Sequence, residues 1–314
     1  MCDASAAVPL SGNVFMVADD EDNVLRAYDA ERGGPPLWSV DVSAAIGIAA
    51  QPTRPGKKPK RAPEADLEGA TRVGDLGFWM SSHGRNSSGK LKRERLRLFA
   101  TRLPGDSDAA AGDAAVSVVG RAYEGLLGDL IAEPRLGAFG LAAAAELAPK
   151  DPGGFNLEGM TARPDGGVWL GFRNPIPGGL ALLVPLLNPE ALVNGAAARF
   201  GDPVRLDLGG LGVRALSELD GEIIIAAGSY ESGGVARLYR WREGRAPVAV
   251  TELTFHDFNP EGVFSPVGRQ DFLLISDDGR RKIDGSECKT LKDSSKKRFR
   301  AVWVPEGTFP GAAP

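Results

Sequence analysis

A short motif, Asp/Asn-x-Glu-Gly, occurs three times in the sequence and supplies the residues best suited to chemistry. Its glutamates are Glu68, Glu158 and Glu261, and a fourth, degenerate copy carries Arg214 in the glutamate position. Carboxylates that lie close together repel each other, and either a cation or an arginine relieves the repulsion. Calcium takes six to eight oxygen ligands. The motif therefore predicts a calcium site in which the three glutamates are ligands and the arginine is a neighbouring charge.

The same motif also has a purely structural interpretation. A glutamate at one position of every repeat can hydrogen-bond the backbone of the next repeat, and the glycine after it permits close packing of two backbones. The residues give the two interpretations equal weight, so a ligand role and a ring-closing role both stay open.

A second set of polar residues follows directly after apolar runs of the sequence. The further candidate metal ligands in this set are Asp19, Asp20 and Asp277. The candidate catalytic residues, taken together with the motif arginine, are His83, Arg85, Arg173 and Arg214. An imidazole titrates near neutrality and can move a proton, and guanidinium groups bind phosphate or carboxylate oxygens.

The apolar runs indicate the elements that must position these residues. The runs are 14–18, 77–81, 168–172, 223–227 and 272–276, and candidate third and fourth strands follow most of them. Four-stranded units repeated around an axis form a propeller, and strands buried between neighbouring blades have continuous apolar sequences. The sequence predicts an all-β fold, a β-propeller of about five blades, or six if residues 106–140 hold another. The first unit is predicted to lack its first strand.

Longer gaps between the repeats predict insertions. Glu68 and Glu158 are 90 residues apart, whereas a propeller blade takes about 40–50 residues. Residues 123–149 have leucines at helical spacing and an alanine-rich stretch, so we expect a helical insertion there. Residues 51–63 and 280–300 are rich in lysine and arginine and are predicted to be mobile basic loops. The whole chain, 1–314, is then one propeller domain.

Composition limits the classes of function. The 41 glycines and 23 prolines are typical of short strands joined by tight turns. A net charge of −4 gives no general positive field for nucleic acid, and no run of 18 apolar residues predicts a membrane span. Residues 1–10 lack the features of a secretion signal, and Cys2 and Cys288 suggest no disulfide framework. We therefore expect a reducing, cytoplasmic location.

Several stretches of the sequence resemble an uncharacterised bacterial family that is catalogued as a domain of unknown function. These stretches are 17–23, 66–69, 82–86, 156–159, 171–175 and 183–186. The Asp-x-Glu-Gly repeat is also similar, more weakly, to the propeller family described as having esterase-like activity of phytase. Phytase propellers use carboxylates at the channel mouth to hold Ca²⁺ ions that bind phosphate. This second resemblance implies a calcium-dependent phosphoester or ester hydrolase.

Two functions stay open at this stage. In the first, Ca²⁺ polarises a phosphoryl or acyl oxygen, the arginines stabilise negative charge and His83 moves a proton. In the second, the same mouth binds a small anionic or sugar-like ligand, or a protein, without turnover.

Overall fold

The computed structural model describes residues 1–50, 61–105, 109, 116–231, 234–305 and 308. Most of the first predicted basic loop, 51–60, therefore lies outside the described residues. The described chain forms five antiparallel sheets, which follow one another in sequence order, and one additional two-stranded hairpin. Four of the five sheets have four strands, and the fifth has three.

Each sheet is built from one continuous stretch of the chain. The strands of the first sheet are β1 (Ala4–Ser11), β2 (Val14–Asp19), β3 (Val24–Asp29) and β4 (Trp38–Asp41). Those of the second are β5 (Leu67–Val73), β6 (Leu76–Ser81), β7 (Leu98–Arg102) and β8 (Ser117–Tyr123). A helical segment follows, with α1 (Leu126–Ala132), a 3₁₀ helix (Pro134–Phe139) and α2 (Leu141–Ala144).

The remaining three sheets follow this helical segment. The third has β9 (Asn156–Ala162), β10 (Val168–Asn174), β11 (Ala181–Leu186) and, after the short helix α3 (Pro189–Val193), β12 (Val204–Leu206). The fourth has β13 (Gly212–Leu219), β14 (Glu222–Gly228), β15 (Ala236–Trp241) and β16 (Val248–Val250). The fifth has β17 (Pro260–Phe264), β18 (Phe272–Ser276) and β21 (Ala301–Val304), and the hairpin β19 (Lys282–Ile283) and β20 (Ser286–Glu287) lies between its last two strands.

The first strands of the five sheets lie side by side around a central axis. Strand β1 contacts β5, β5 contacts β9, β9 contacts β13, β13 contacts β17, and β17 contacts β1. This closed ring of inner strands makes the fold a five-bladed β-propeller and confirms the prediction from the repeats. The helices between the second and third blades confirm the predicted insertion.

The hydrophobic core is divided among the junctions between blades. Five buried clusters each combine side chains from two neighbouring sheets, including the junction between the fifth and first blades. Strands β6, β10 and β18 are buried at every position, because a neighbouring blade covers each of their faces. This explains why their sequences are continuously apolar and do not alternate. Among the described residues, no helix is both long and apolar enough to cross a lipid bilayer.

The first blade differs from the prediction that its first strand is missing. Strand β1 is present and is the inner strand of that blade. Its sequence, ASAAVPLS, is rich in small residues, which fit where inner strands crowd together. It has neither the glutamate nor the glycine that marks the inner strands of the second, third and fifth blades, so the repeat could not be recognised.

The second predicted basic loop, 280–300, contains regular structure. It holds the hairpin β19–β20 and two 3₁₀ helices, Cys288–Thr290 and Ser294–Lys296. Its mobility stays a prediction.

The two cysteines form a disulfide, contrary to the expectation from the sequence. Cys2 and Cys288 have an S–S distance of 1.98 Å and are 286 residues apart in the chain. Only closure of the ring brings the start of β1 next to the insertion of the fifth blade, which is why sequence spacing gave no sign of the bond. A reducing, cytoplasmic location is not tested by this contact and stays a prediction.

The glycines of the Glu-Gly motifs permit close packing of the inner strands. A Cβ atom on Gly159 would lie 2.5 Å from Cγ1 of Val213 and 2.8 Å from Cγ of Leu216, both on the neighbouring blade. A Cβ atom on Gly69 would lie 3.2 Å from the carbonyl oxygen of Glu158. The motif glycine therefore sets how near one blade can approach the next.

Replacing this glycine should weaken the packing between the third and fourth blades. We expect Gly159→Ala to lower the free energy of unfolding by about 1–3 kcal/mol, because the added methyl group overpacks a buried junction. Gly128→Ala is the matched control, since Gly128 lies in α1 with nothing within 4 Å of an added Cβ. Urea denaturation should show that variant to be neutral or stabilised. Equal stability of the two variants would contradict the packing role.

Candidate functional site at the channel mouth

All five inner strands carry a β-bulge at the same place. In each strand one residue is skipped in the register with the second strand of its blade. The skipped residues are Ser5, Glu68, Glu158, Arg214 and Glu261. A bulge leaves one residue unpaired and re-aims its side chain, so one polar side chain per blade is presented at the same level of the channel. The structure thus brings the four repeat residues together as the spacing predicted.

Ser5 is the fifth member of this ring and was missed by the sequence prediction. The segment Asp3-Ala4-Ser5-Ala6 corresponds to Asp66-Leu67-Glu68-Gly69, with serine in place of the glutamate and alanine in place of the glycine. The acidic residue two positions before the bulge was the signal that could have identified it. We refer to Ser5, Glu68, Glu158, Arg214 and Glu261 as the bulge ring.

One half of the bulge ring is neutralised by arginines. Arg173 donates from Nη1 to Oε1 of Glu158 at 2.6 Å. Arg214 lies between Glu158 and Glu261: its Nε is 3.7 Å from Oε2 of Glu158, and its Nη2 forms an ion pair with Glu261. All four side chains are buried. Burial, followed by the nearby positive charge of Arg173, lowers the pKa of Arg214 to about 10.

Asparagines complete the neutralised half. Asn156 Nδ2 donates to Oε1 of Glu158 at 2.8 Å, and Asn259 Nδ2 donates to Oε1 of Glu261 at 3.1 Å. In the second blade the corresponding position holds Asp66. A carboxylate offers no such donor when ionised, so Asp66 adds a second negative charge beside Glu68 where the other blades supply a hydrogen bond.

The other half of the mouth is a cluster of carboxylates. Asp20, which follows β2, Asp66, which precedes β5, and Glu68 on β5 each offer an oxygen, and these oxygens lie within 4.8 Å of one another. We call these three residues the acidic triad. Asp66 is also held by Arg95 at 2.9 Å and by the hydroxyl of Ser82. The triad spans the junction between the first and second blades and has the oxygen chemistry that calcium prefers.

Crowding and burial perturb the acidic triad. The pKa of Glu68 is well above its usual range because the side chain is buried, and because Glu158 and Asp66 add negative potential. The pKa of Asp20 is raised well above its usual range for the same reasons, with Glu68 and Asp66 as the charged neighbours. Burial and the neighbouring carboxylates therefore both disfavour the ionised form of these groups.

Several buried polar atoms at the mouth have no hydrogen-bond partner. They are Oδ1 of Asp20, Oδ1 of Asn156, Oε2 of Glu158 and Nε of Arg214. A buried polar atom without a partner is costly, and such atoms are often completed by an ion, a water molecule or a ligand. Their location around one channel mouth points to a binding site there.

Hydrogen bonds join neighbouring inner strands both at the bulge ring, where Ser5 Oγ donates to the carbonyl oxygen of Leu67, and farther along the strands. The backbone N–H of Ala162 donates to Oγ1 of Thr71 at 2.9 Å, and that of Glu218 donates to Oγ1 of Thr161 at 2.8 Å. Glu158 and Glu261 accept from side chains instead. Threonines thus join neighbouring inner strands, and so do the ion pairs of Glu158 and Glu261 with Arg214, so a ring-closing role of the glutamates stays open beside a ligand role.

His83 and Arg85 are not brought to the bulge ring by contacts of the described residues. The His83 ring is buried, and its Nδ1 lies 2.7 Å from the carbonyl oxygen of Ser81. Arg85 donates to the carbonyl oxygen of Ala145 at 2.8 Å and pairs with Glu146, so it holds the helical insertion. Their predicted catalytic roles have no support from this geometry.

Asp19 and Asp277, the other predicted ligands, lie near the mouth but belong to turns. Asp19 Oδ1 accepts from the backbone N–H of Glu21 at 2.9 Å, and Asp277 Oδ1 accepts from that of Gly279 at 2.8 Å. Burial, followed by the charge of Asp22, raises the pKa of Asp19 to about 6.

The opposite end of the channel contains a cavity of about 260 Å³. Its walls come from the far halves of the inner strands and include Ala7, Thr71, Thr161, Ser217 and Ser265. It is separate from the bulge ring, and its polar side chains include Thr71, Thr161 and Ser265, which are already hydrogen-bonded to protein groups. We therefore place the candidate site at the bulge ring and not at this cavity.

A family model described as "Protein of unknown function (DUF3616)" matches residues 101–261, which is half of the chain. The chain belongs to this family. The match confirms the resemblance to a domain of unknown function, and it assigns no activity to this uncharacterised propeller. No curated protein matches the chain significantly. Similarity to phytase-like propellers stays a prediction.

Solved structures with a similar fold include two propellers of low sequence identity. Glutaminyl cyclase from Myxococcus xanthus is 11% identical, with a TM-score of 0.44 over 87% of this chain and 85% of its own. The PQQ-bound aldose sugar dehydrogenase from Streptomyces coelicolor is 16% identical, with a TM-score of 0.46 over 91% of this chain and 92% of its own. The activities in these names belong to those proteins.

The buried imidazole of His83 should make stability depend on acid. Burial lowers the pKa of His83 from 6.5 to about 4. As the pH falls, the unfolded chain therefore binds a proton at His83 at a higher pH than the folded chain does. The stabilisation of the folded state that is present above pH 6.5 is lost as the pH falls towards 4. When the pH is lowered from 7.5 to 5, protonation of His83 in the unfolded chain should lower the free energy of unfolding by about 2 kcal/mol.

His83→Asn is the variant that isolates this effect. His83 has a φ of 56°, and asparagine tolerates that conformation. Urea denaturation at pH 7.5 and pH 5 should show a smaller loss in the variant than in the wild type. Identical losses would mean that His83 is not held neutral in the folded protein.

Proposed function

We propose that the channel mouth binds a calcium ion through the acidic triad and that this ion binds an anionic small ligand. The single observation that carries the proposal is the contrast between blades. Glu158 and Glu261 each have an asparagine donor and an arginine, whereas Glu68 has Asp66 and Asp20 as its close neighbours. A divalent cation supplies the positive charge that the second blade lacks.

The neighbouring half of the mouth supports an anion as the ligand. Arg173 and Arg214 lie on the third and fourth blades, and their positive charges act on Glu68 of the triad. The pKa of Lys150 is lowered by its burial and then by the positive charges of Arg173 and Arg280, which indicates a positive potential at that side. A ligand with a phosphate or carboxylate group would bind the calcium ion at one side and face these cations at the other.

Calcium should stabilise the protein through the triad. At a concentration 100-fold above the dissociation constant, binding adds about 2.7 kcal/mol of stability, which corresponds to a rise of about 5 °C in melting temperature. We expect this rise in chelator-treated protein titrated with Ca²⁺ and followed by differential scanning fluorimetry. In Glu68→Gln and Asp66→Asn the rise should disappear.

Asp66→Asn is the most informative of these variants, because it gives the second blade the asparagine of the third and fifth blades. Asp75→Asn is the control, since that carboxylate is exposed and pairs with Arg102 at the surface. A calcium response that survives in Glu68→Gln and Asp66→Asn would place the ion elsewhere and overturn the proposal.

Hydrolysis of a phosphate ester at the same ion is the second candidate function. It is favoured by Glu158 Oε2, a buried carboxylate oxygen at the mouth that has no hydrogen-bond partner and can accept a proton from water. In this reaction a water oxygen bonds to phosphorus while the bond to the ester oxygen breaks. Glu158 accepts the proton from the water, and that proton is then passed to the departing alcohol.

Turnover separates hydrolysis from binding alone. If the protein is a hydrolase, p-nitrophenyl phosphate should be cleaved in the presence of Ca²⁺, and Glu158→Gln should lower kcat at least 100-fold. Glu218→Gln, at the far end of β13, is the control. Calcium-dependent stabilisation without cleavage of this ester or of a panel of natural phosphate monoesters would leave binding as the function and reject hydrolysis.

A further inference from the structure

We infer that the mouth holds two calcium ions and that Asp20 bridges them. This inference rests on the proposed function and adds a second ion to it. The second set of ligands is Asp3, Asp20 and Glu21, which we call the outer triad. It shares Asp20 with the acidic triad and lies nearer the junction of the first and fifth blades.

The outer triad has the spacing of a cation site. Each of its three residues offers an oxygen, and these oxygens lie within 4.8 Å of one another. Two oxygens on opposite sides of one calcium ion are at most about 5 Å apart, because each Ca²⁺–O distance is 2.3–2.6 Å. The backbone joins the same residues, since the N–H of Asp20 donates to the carbonyl oxygen of Asp3 at 3.3 Å.

Asp20 supplies the observation that points to a ligand. Its Oδ1 atom is buried and has no hydrogen-bond partner, although it lies among carboxylates that repel it. A carboxylate has two oxygens and can bind a different metal ion with each. Because Asp20 belongs to both triads, one oxygen for each ion gives a metal ion to the Oδ1 atom that the protein itself leaves without a partner.

Charge balance is compatible with a second ion. The two triads together contain five carboxylates, and the cations bonded to them are Arg95, at Asp66, and Lys289, at Glu21. With all five ionised, this group has a net charge of −3. One calcium ion brings the charge to −1 and two bring it to +1, so the choice between one ion and two rests on the arrangement of the ligands.

Lys289 provides a way to tune the second ion. Its Nζ lies 2.9 Å from Oε1 of Glu21, so it occupies a carboxylate that the outer ion would need. Lys289→Met frees that carboxylate and should increase the affinity of the outer site about 10-fold, while the site at the acidic triad changes little.

The number of bound ions tests the inference. We would titrate chelator-treated, full-length protein with Ca²⁺ alone, using isothermal titration calorimetry, and count bound ions by native mass spectrometry. The expected stoichiometry is two for the wild type and for the Asp75→Asn control. It is one for Asp3→Asn and one for Glu68→Gln. Asp20→Asn, which removes the shared ligand, should bind no calcium with comparable affinity.

The possible results separate this inference from the proposed function. A wild-type stoichiometry of one, unchanged in Asp3→Asn and lost in Glu68→Gln, would overturn the second ion and leave the first. A stoichiometry of zero would overturn both. The wild-type count and the Asp3→Asn count decide the question even if Asp20→Asn does not fold.

Discussion

Convergence of one polar side chain per blade on a narrow axis is the constraint on which this structure depends. The five bulges aim Ser5, Glu68, Glu158, Arg214 and Glu261 at a common level. Three of them are acidic, and they lie where burial weakens the screening of charge. Much of the surrounding structure compensates for this concentration of buried negative charge. Arginines, asparagines and crowded carboxylates are different responses to the same electrostatic problem.

The two halves of the mouth show how one substitution changes that response. Asparagine before the glutamate supplies a hydrogen bond and allows an arginine to complete the site. Aspartate at the same position, Asp66, supplies another negative charge, and Asp20 from the preceding blade adds a third. A repeated architecture can therefore hold a closed ion-pair network and an open cation site side by side, on inner strands that share the same bulge.

The sequence predicted the strands and blades, because these depend on short patterns of residues that recur along the chain. Apolar runs, turn residues and the Glu-Gly spacing identified the blades, and the motif identified four of the five residues that the bulges bring together. It failed at β1, where small residues replace the motif, and at the Cys2–Cys288 bond, which depends on closure of the whole ring. It also grouped His83 and Arg85 with the channel, because residues at strand ends look equivalent in sequence. Their side-chain directions are set by contacts with Ser81 and the helical insertion, which the sequence does not encode locally.

Each blade is one continuous stretch of chain, so four of the five junctions are crossed by a peptide segment and the junction of β1 with β17 is not. There the blades meet through side chains such as Phe15 and Phe264, whose rings stack 4.7 Å apart, and through the disulfide. In an oxidising medium the disulfide thus closes the ring of blades covalently. In a reducing medium only non-covalent contacts hold the junction of the first and fifth blades. Mechanical or thermal opening of the ring of blades would start at this junction, beside the acidic side of the mouth.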